Sequence, residues 1–241
     1  MIYLREIKLK SPPAEDSYLN DIGAVRYLKE KGSLSFSQPV TFLVGENGTG
    51  KSTLLEATAV ALGFNAEGGS RDFNFSTYDQ QPELAELLTP VRVAYPSDGF
   101  FLRAESFYNA ATYLQQVDSN LKRYGGRSLH EQSHGESFLA LVKNRFEGKG
   151  IYLLDEPEAA LSPQRLLSLL ILIDQLVKQD SQLIIATHSP ILMAYPQATI
   201  YQLDEEGIEE VSLQQTASYQ ITRQFLDDPD RMIHYLLNEE E

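Results

Sequence analysis

The chain has 241 residues, is 42% hydrophobic and carries a formal net charge of −14. That length allows one large domain or two small ones with a packed core. The absence of cysteine excludes disulfides and cysteine-ligated zinc or iron–sulfur centres, and the acidic balance argues against a broad nucleic-acid footprint while leaving a local basic stripe open.

In chain order, Ile2 to Leu9 alternates like a strand and is broken by Ser11-Pro12-Pro13. A short helix is predicted near Val25 to Lys29 and a second strand at Ser33 to Phe36. Val40-Thr41-Phe42-Leu43-Val44 is β-branched and aromatic and reads as a buried strand. Gly45-Glu46-Asn47-Gly48-Thr49-Gly50-Lys51-Ser52 follows at once, and then a helix from Ser52 to Leu62 stopped by Gly63. Asn65 to Tyr78 is loop-like, and Glu83 to Leu88 a short helix. Val91 to Tyr95 and Gly99 to Arg103 read as strands around the turn Pro96-Ser97-Asp98-Gly99.

A helix is expected from Ser106 to Tyr124, ending at Gly125-Gly126. Ser133 to Ser137 opens another, Phe138 to Phe146, closed by Gly148 and Gly150. Ile151 to Leu154 is an apolar strand delivering Asp155-Glu156-Pro157-Glu158. Ser162 and Pro163 form the N-cap and first position of a helix to Lys178, apolar on nearly every face and so expected to be buried. Leu183 to Ala186 is a buried strand ending in Thr187-His188-Ser189-Pro190. A hairpin, Ala198 to Leu203 with Ile208 to Leu213, precedes a helical tail to about Tyr235; Glu239 to Glu241 should be frayed. Strands alternating with helices predict a mainly parallel sheet covered on both faces.

No apolar run reaches the roughly 18 residues of a membrane span. The longest, Leu166 to Val177, is broken by Ser168, Asp174 and Gln175. The N-terminus lacks the basic-then-apolar layout of a signal peptide. The expectation is a cytoplasmic protein without membrane insertion.

The glycine-rich stretch fits the phosphate-loop template between strand and helix. Its glycines let successive N–H groups of Gly45, Glu46, Asn47, Gly48, Thr49 and Gly50 turn toward phosphate oxygens, and the helix end adds partial positive charge. Lys51 is expected on the β- and γ-phosphates of ATP, Ser52 on Mg²⁺ and Thr53 on the α-phosphate. Asp155, at a buried strand end, is expected to hold Mg²⁺ beside Ser52. Glu156 points differently and is the candidate base toward an attacking water. His188, at the next strand end, can hydrogen-bond the γ-phosphate. Ser133, Gly135 and Glu136 open a helix that is either an anion site or an ordinary cap. Arg26 and Tyr27 are candidates to pack on adenine, with surface or core packing as the alternative. Arg127 is a candidate to reach phosphate, with a solvated position as the alternative, and His130 and His234 are given no chemistry.

These elements in this order resemble ABC-type ATPases, and more closely the SMC/RecF/OLD-like branch than transporter subunits. Ser133-His134-Gly135-Glu136 is similar to that family's signature, departing at His134; Ser162 stands where the family has an aspartate. The family's glutamine loop has no glutamine here, and Glu105 is the nearest polar candidate. The resemblance implies a P-loop NTPase with a mainly parallel sheet, an N-terminal antiparallel β portion and a small helical signature subdomain. It divides one domain into a phosphate-loop lobe (1–105), the signature subdomain (106–148) and a catalytic-acid lobe with hairpin and helices (149–241). It also implies ATP sandwiched in a homodimer between one copy's phosphate loop and the other's Ser133. An effector or nuclease partner in DNA maintenance or phage defence would take up the motion. The competing readings are the ATP-binding subunit of a membrane ABC transporter, a small-molecule kinase, and a nucleic-acid-binding module, which the acidic composition does not support.

Overall fold

The computed structural model describes residues 1–70, 82–105, 107 and 133–238. The chain begins with β1 (Leu4–Leu9), α1 (Gly23–Lys31), β2 (Ser33–Ser35), β3 (Val40–Val44) and α2 (Lys51–Ala61). Next come α3 (Glu83–Leu87), β4 (Leu88–Arg92), β5 (Asp98–Arg103), α4 (His134–Arg145), β6 (Gly150–Asp155) and α5 (Pro163–Lys178). It ends with β7 (Gln182–Ala186), α6 (Pro190–Met193), the hairpin β8 (Thr199–Leu203) and β9 (Ile208–Val211), α7 (Ala217–Asp227) and α8 (Pro229–Asn238).

The main sheet has six strands in the order β5-β6-β7-β3-β8-β9. All neighbouring pairs are parallel except β8 with β9. Because successive residues of a strand face opposite sides, each strand feeds two core layers. Tyr152 and Leu154 of β6 enter one layer with Phe42, Ile185 and the α5 residues Leu169 and Ile173. Ile151 and Leu153 enter the other with Leu43, Ile184 and the α2 residues Leu54 and Leu55. A covered parallel sheet reads as continuous apolar runs, and every residue of β3, β6 and β7 is buried.

A second sheet, β2-β1-β4, is antiparallel and closes the α2 side, with Leu4, Ile7, Leu34 and Leu88 in the same core layer as Leu54 and Leu55. Buried Gln182 at the start of β7 ties the sheets together. Its Oε1 accepts from Tyr3 N and Leu4 N, and its Nε2 donates to Leu4 O, each at 2.8 Å.

Two expectations change. The segments read as strands around Pro96 to Gly99 belong to different sheets: β4 starts at Leu88 and pairs with β1, whereas β5 pairs with β6. Pro90 fits because β4 is an edge strand. The helix from Pro163 is not buried all round. Leu166, Leu169, Ile173 and Leu176 face the core, but Leu167 and Ile171 are exposed. The expected helix Ser106 to Tyr124, with Arg127 and His130, lies outside the described residues except Phe107. Among the described residues no helix is long and apolar enough to cross a membrane.

Candidate functional site

The C-terminal ends of β3, β5, β6 and β7 converge on one edge of the sheet, the usual ligand side of such folds. From β3 the chain enters the loop Gly45 to Gly50. Gly45, Gly48 and Gly50 have φ of 148°, 87° and 90°, values that disfavour side chains. A Cβ at Gly45 would lie 2.2 Å from Leu203 O, and one at Gly50 2.4 Å from Ile22 Cγ2. Glu46 O accepts from Thr49 Oγ1 and from Lys51 Nζ, both at 2.9 Å. Lys51 is 3% exposed, and burial pulls its ammonium below the usual lysine range, with Glu156, Asp155 and Glu158 opposing. The lysine is thus folded back on its own loop, close to three acids.

Alternation along β6 puts Asp155 on the α2 face with Ile151 and Leu153. Ser52 Oγ donates to Asp155 Oδ1 at 2.9 Å. Burial raises the Asp155 carboxyl above its ordinary range, against the Ser52 hydrogen bond and Arg103. Glu156 leaves the strand at φ 48°, ψ 52°, a left-handed conformation, before Pro157. That turn leaves its Oε1 3.6 Å from His188 Nε2. His188 N donates to Glu158 Oε1. The two acids therefore address one histidine, at its ring and at its backbone. His188 Nε2 and Glu158 Oε2 are buried without a hydrogen-bond partner, and such orphaned atoms at a strand-end cleft call for a ligand or water.

Ser133 and Glu136 form a capping box at α4, with Ser133 N donating to Glu136 Oε2 at 3.1 Å. Glu136 Oε1 pairs with Arg165 Nη2 at 3.0 Å. A Cβ at Gly135 would lie 2.6 Å from Arg165 Nη1 and 3.0 Å from Ala160 O, so close packing accounts for this glycine. Ser162 is the N-cap of α5, but its side chain makes no cap bond. Arg26 donates to Asn20 O and Glu205 O, at 3.1 and 3.0 Å, and Tyr27 packs against the α2-side core. Glu105 is exposed.

Sequence reasoning missed Arg103, Glu56 and Glu158. Arg103 and Glu56 meet only where the end of β5 packs beside α2, whereas Glu158 was visible in the Glu-Pro-Glu run. It also missed a cavity of about 150 Å³ lined by Gly45, Glu46, His188, Gln202 and the first turn of α7 at Ala217 and Ser218.

Asp155 and Ser52 present hard oxygen donors, the glycine loop presents backbone N–H groups, and Lys51 a cation. This set fits a nucleoside triphosphate with a divalent cation. Solved structures with similar folds include a metal-chelate type ABC transporter in an inward-facing conformation (17% identity, TM-score 0.53, covering 94% of this chain and 90% of that one). Another is the SMC head domain from Thermotoga maritima (16% identity, TM-score 0.47, 88% and 99% covered). A third is cbiO1 from Clostridium perfringens, part of the ABC transporter complex cbiONQ (18%, TM-score 0.48, 98% and 99%). No curated protein matches the sequence. The AAA domain model AAA_23 matches residues 19–227. The chain therefore belongs to that AAA domain family, and its fold is that of a P-loop ATPase.

Proposed function

We propose that the protein binds ATP with Mg²⁺ and hydrolyses it, using Glu156 as the base and His188 as the partner of the γ-phosphate. The observation that carries this reading is the pair of contacts at adjacent strand ends: Ser52 with Asp155 at 2.9 Å, and Glu156 with His188 at 3.6 Å. The first makes a place for a hard cation, and the second brings a carboxylate and an imidazole to one point.

On ATP binding Lys51 exchanges Glu46 O for phosphate oxygens, while the loop N–H groups and the α2 end cradle the phosphates. Mg²⁺ held by Ser52 and Asp155 would neutralise charge on the phosphate oxygens. Glu156 orients a water for in-line attack and takes its proton, and His188 donates to the γ-phosphate. Ser133 and the α4 N-terminus then act on the nucleotide of a second copy. ATP thereby joins two copies, hydrolysis separates them, and the change is passed to an effector or nuclease partner. Residues 106–148 form the signature subdomain in this reading, between the lobes 1–105 and 149–241.

Phosphate release and size-exclusion chromatography with light scattering test this. Glu156→Gln should lower kcat by about 10²–10⁴-fold and accumulate a dimer with ATP. Turnover at the wild-type rate would overturn the assignment of the base, and a monomer under ATP would overturn the sandwich.

A further inference from the structure

The strand register brings a cation against Asp155, the proposed magnesium ligand. Phe101 of β5 faces the α2-side core, so alternation sends Arg103 to that same face. Arg103 stands opposite Asp155 in the β5–β6 pairing. Its Nε is 3.4 Å from Asp155 Oδ2, and its Nη1 is 2.6 Å from Glu56 Oε2. Glu56 lies four residues beyond Ser52 on α2, hence on the same helix face, and Ser52 closes the circuit to Asp155 Oδ1 at 2.9 Å. Ser52, Asp155, Arg103 and Glu56 form a closed ring across α2, β6 and β5. The side chains of Arg103 and Glu56 are 21% and 23% exposed, and that of Asp155 is 7% exposed.

Without the guanidinium, two carboxylates and a hydroxyl would share one face, a donor set that suits a hard divalent cation. Arg103 fills the space between them with a single positive charge that no accessible pH removes. We propose that Arg103 is a positioning residue that makes metal binding conditional on nucleotide. By holding Asp155 Oδ2 and Glu56 in ion pairs, it prevents the two carboxylates from capturing a divalent cation before phosphate oxygens complete the site. This inference rests on the reading of Asp155 as a magnesium ligand. It gives Glu56 on α2 and Arg103 at the end of β5 a shared task, namely to keep the empty site from filling with metal alone.

The test is Mn²⁺ binding to the full chain, followed by electron paramagnetic resonance, with and without a non-hydrolysable ATP analogue. Without nucleotide, Arg103→Met should bind Mn²⁺ at least about tenfold more tightly than wild type, since one charge next to the site is removed. Arg103→Lys, which keeps the charge, should stay near wild type. The double variant Arg103→Met with Glu56→Gln should return to wild type. Equal nucleotide-free Mn²⁺ affinity in wild type and Arg103→Met overturns the inference. Arg103→Gln takes the place of Arg103→Met if circular dichroism shows the latter unfolded. Asp155→Asn keeps the two readings apart. Loss of its Mn²⁺ binding with the analogue supports Asp155 as the ligand, and binding equal to wild type overturns that reading and, with it, the proposed role of Arg103.

Discussion

The strand β6 and the helix α8 lie at opposite extremes of burial. Every residue of β6 is buried, whereas neither α7 nor α8 buries any residue. Both are rich in apolar side chains. Leu153 and Leu154 are fully covered, while Leu236 and Leu237 are 67% and 78% exposed. The difference is the neighbourhood. β6 has a strand on each side and helices on both faces, all from this chain, so its hydrophobic pattern is satisfied internally. The amphipathic spacing of Ile221, Phe225, Ile233 and Leu236 marks helices and a preferred face, but it does not supply a surface to cover that face. Hydrophobic period reports the element, and burial depends on what the rest of the fold places beside it.

Several measurements break or sharpen this contrast. The largest effect is expected at the end of β6, where Glu156→Gln should reduce kcat by about 10²–10⁴-fold with little change in urea midpoint. A large fall in stability would mean that the acid supports the fold instead. Within β6 itself, Leu153→Ala should cost about 2–5 kcal/mol by chemical denaturation, with ATP affinity retained by the surviving fold. Gly50→Ala should cost about 1–3 kcal/mol, because φ is 90° and Ile22 Cγ2 is 2.4 Å from the added carbon. Fluorescent ATP-analogue binding should weaken in parallel.

Lys51 gives a smaller effect with a defined sign. Burial lowers its folded pKa below the unfolded value, so the unfolded chain binds more protons in the window below about 10.5. Its contribution to stability therefore rises with pH toward that value. Lys51→Met should lose this slope relative to wild type in urea melts across the alkaline range, and should also lose nucleotide binding. Identical slopes would sink the assignment. The smallest effect is expected in α8, where Leu236→Ser should stay within about 0.5 kcal/mol of wild type. A core-sized loss there would erase the contrast between the two regions.

Much of the site was legible because its parts are local. Gly45 to Ser52, Asp155-Glu156 and His188 each sit at a strand end, and each strand is a short apolar run that marks itself. Arg103 was not legible in the same way. Its proposed task depends on β5 lying beside β6, and the sequence around Pro96 to Gly99 suggested a turn joining strands that in fact belong to two sheets. Glu56 looked like an ordinary helix-forming acid, since only the register of Asp155 and Arg103 gives it a partner. The α5 stretch misled for another reason. Its apolar residues exceed what one core-facing stripe requires, so Leu167 and Ile171 look interior by type but stand at 54% and 60% exposure. Ser133 was left between cap and anion site; in this structure it pairs with Glu136 in a capping box, which the proposed contact to a second copy's nucleotide would have to share or exchange.

The left-handed backbone at Glu156 carries a further consequence. A side chain in that conformation costs on the order of 1 kcal/mol relative to glycine, and the same position supplies the acid that faces the His188 ring nitrogen Nε2. The residue that would make the best turn and the residue that would make the best catalyst are therefore different. With Glu156 as the proposed base, a chain carrying glycine there should be the more durable molecule and the idle one, so the wild-type residue would measure how far folding yields to turnover at a single backbone position.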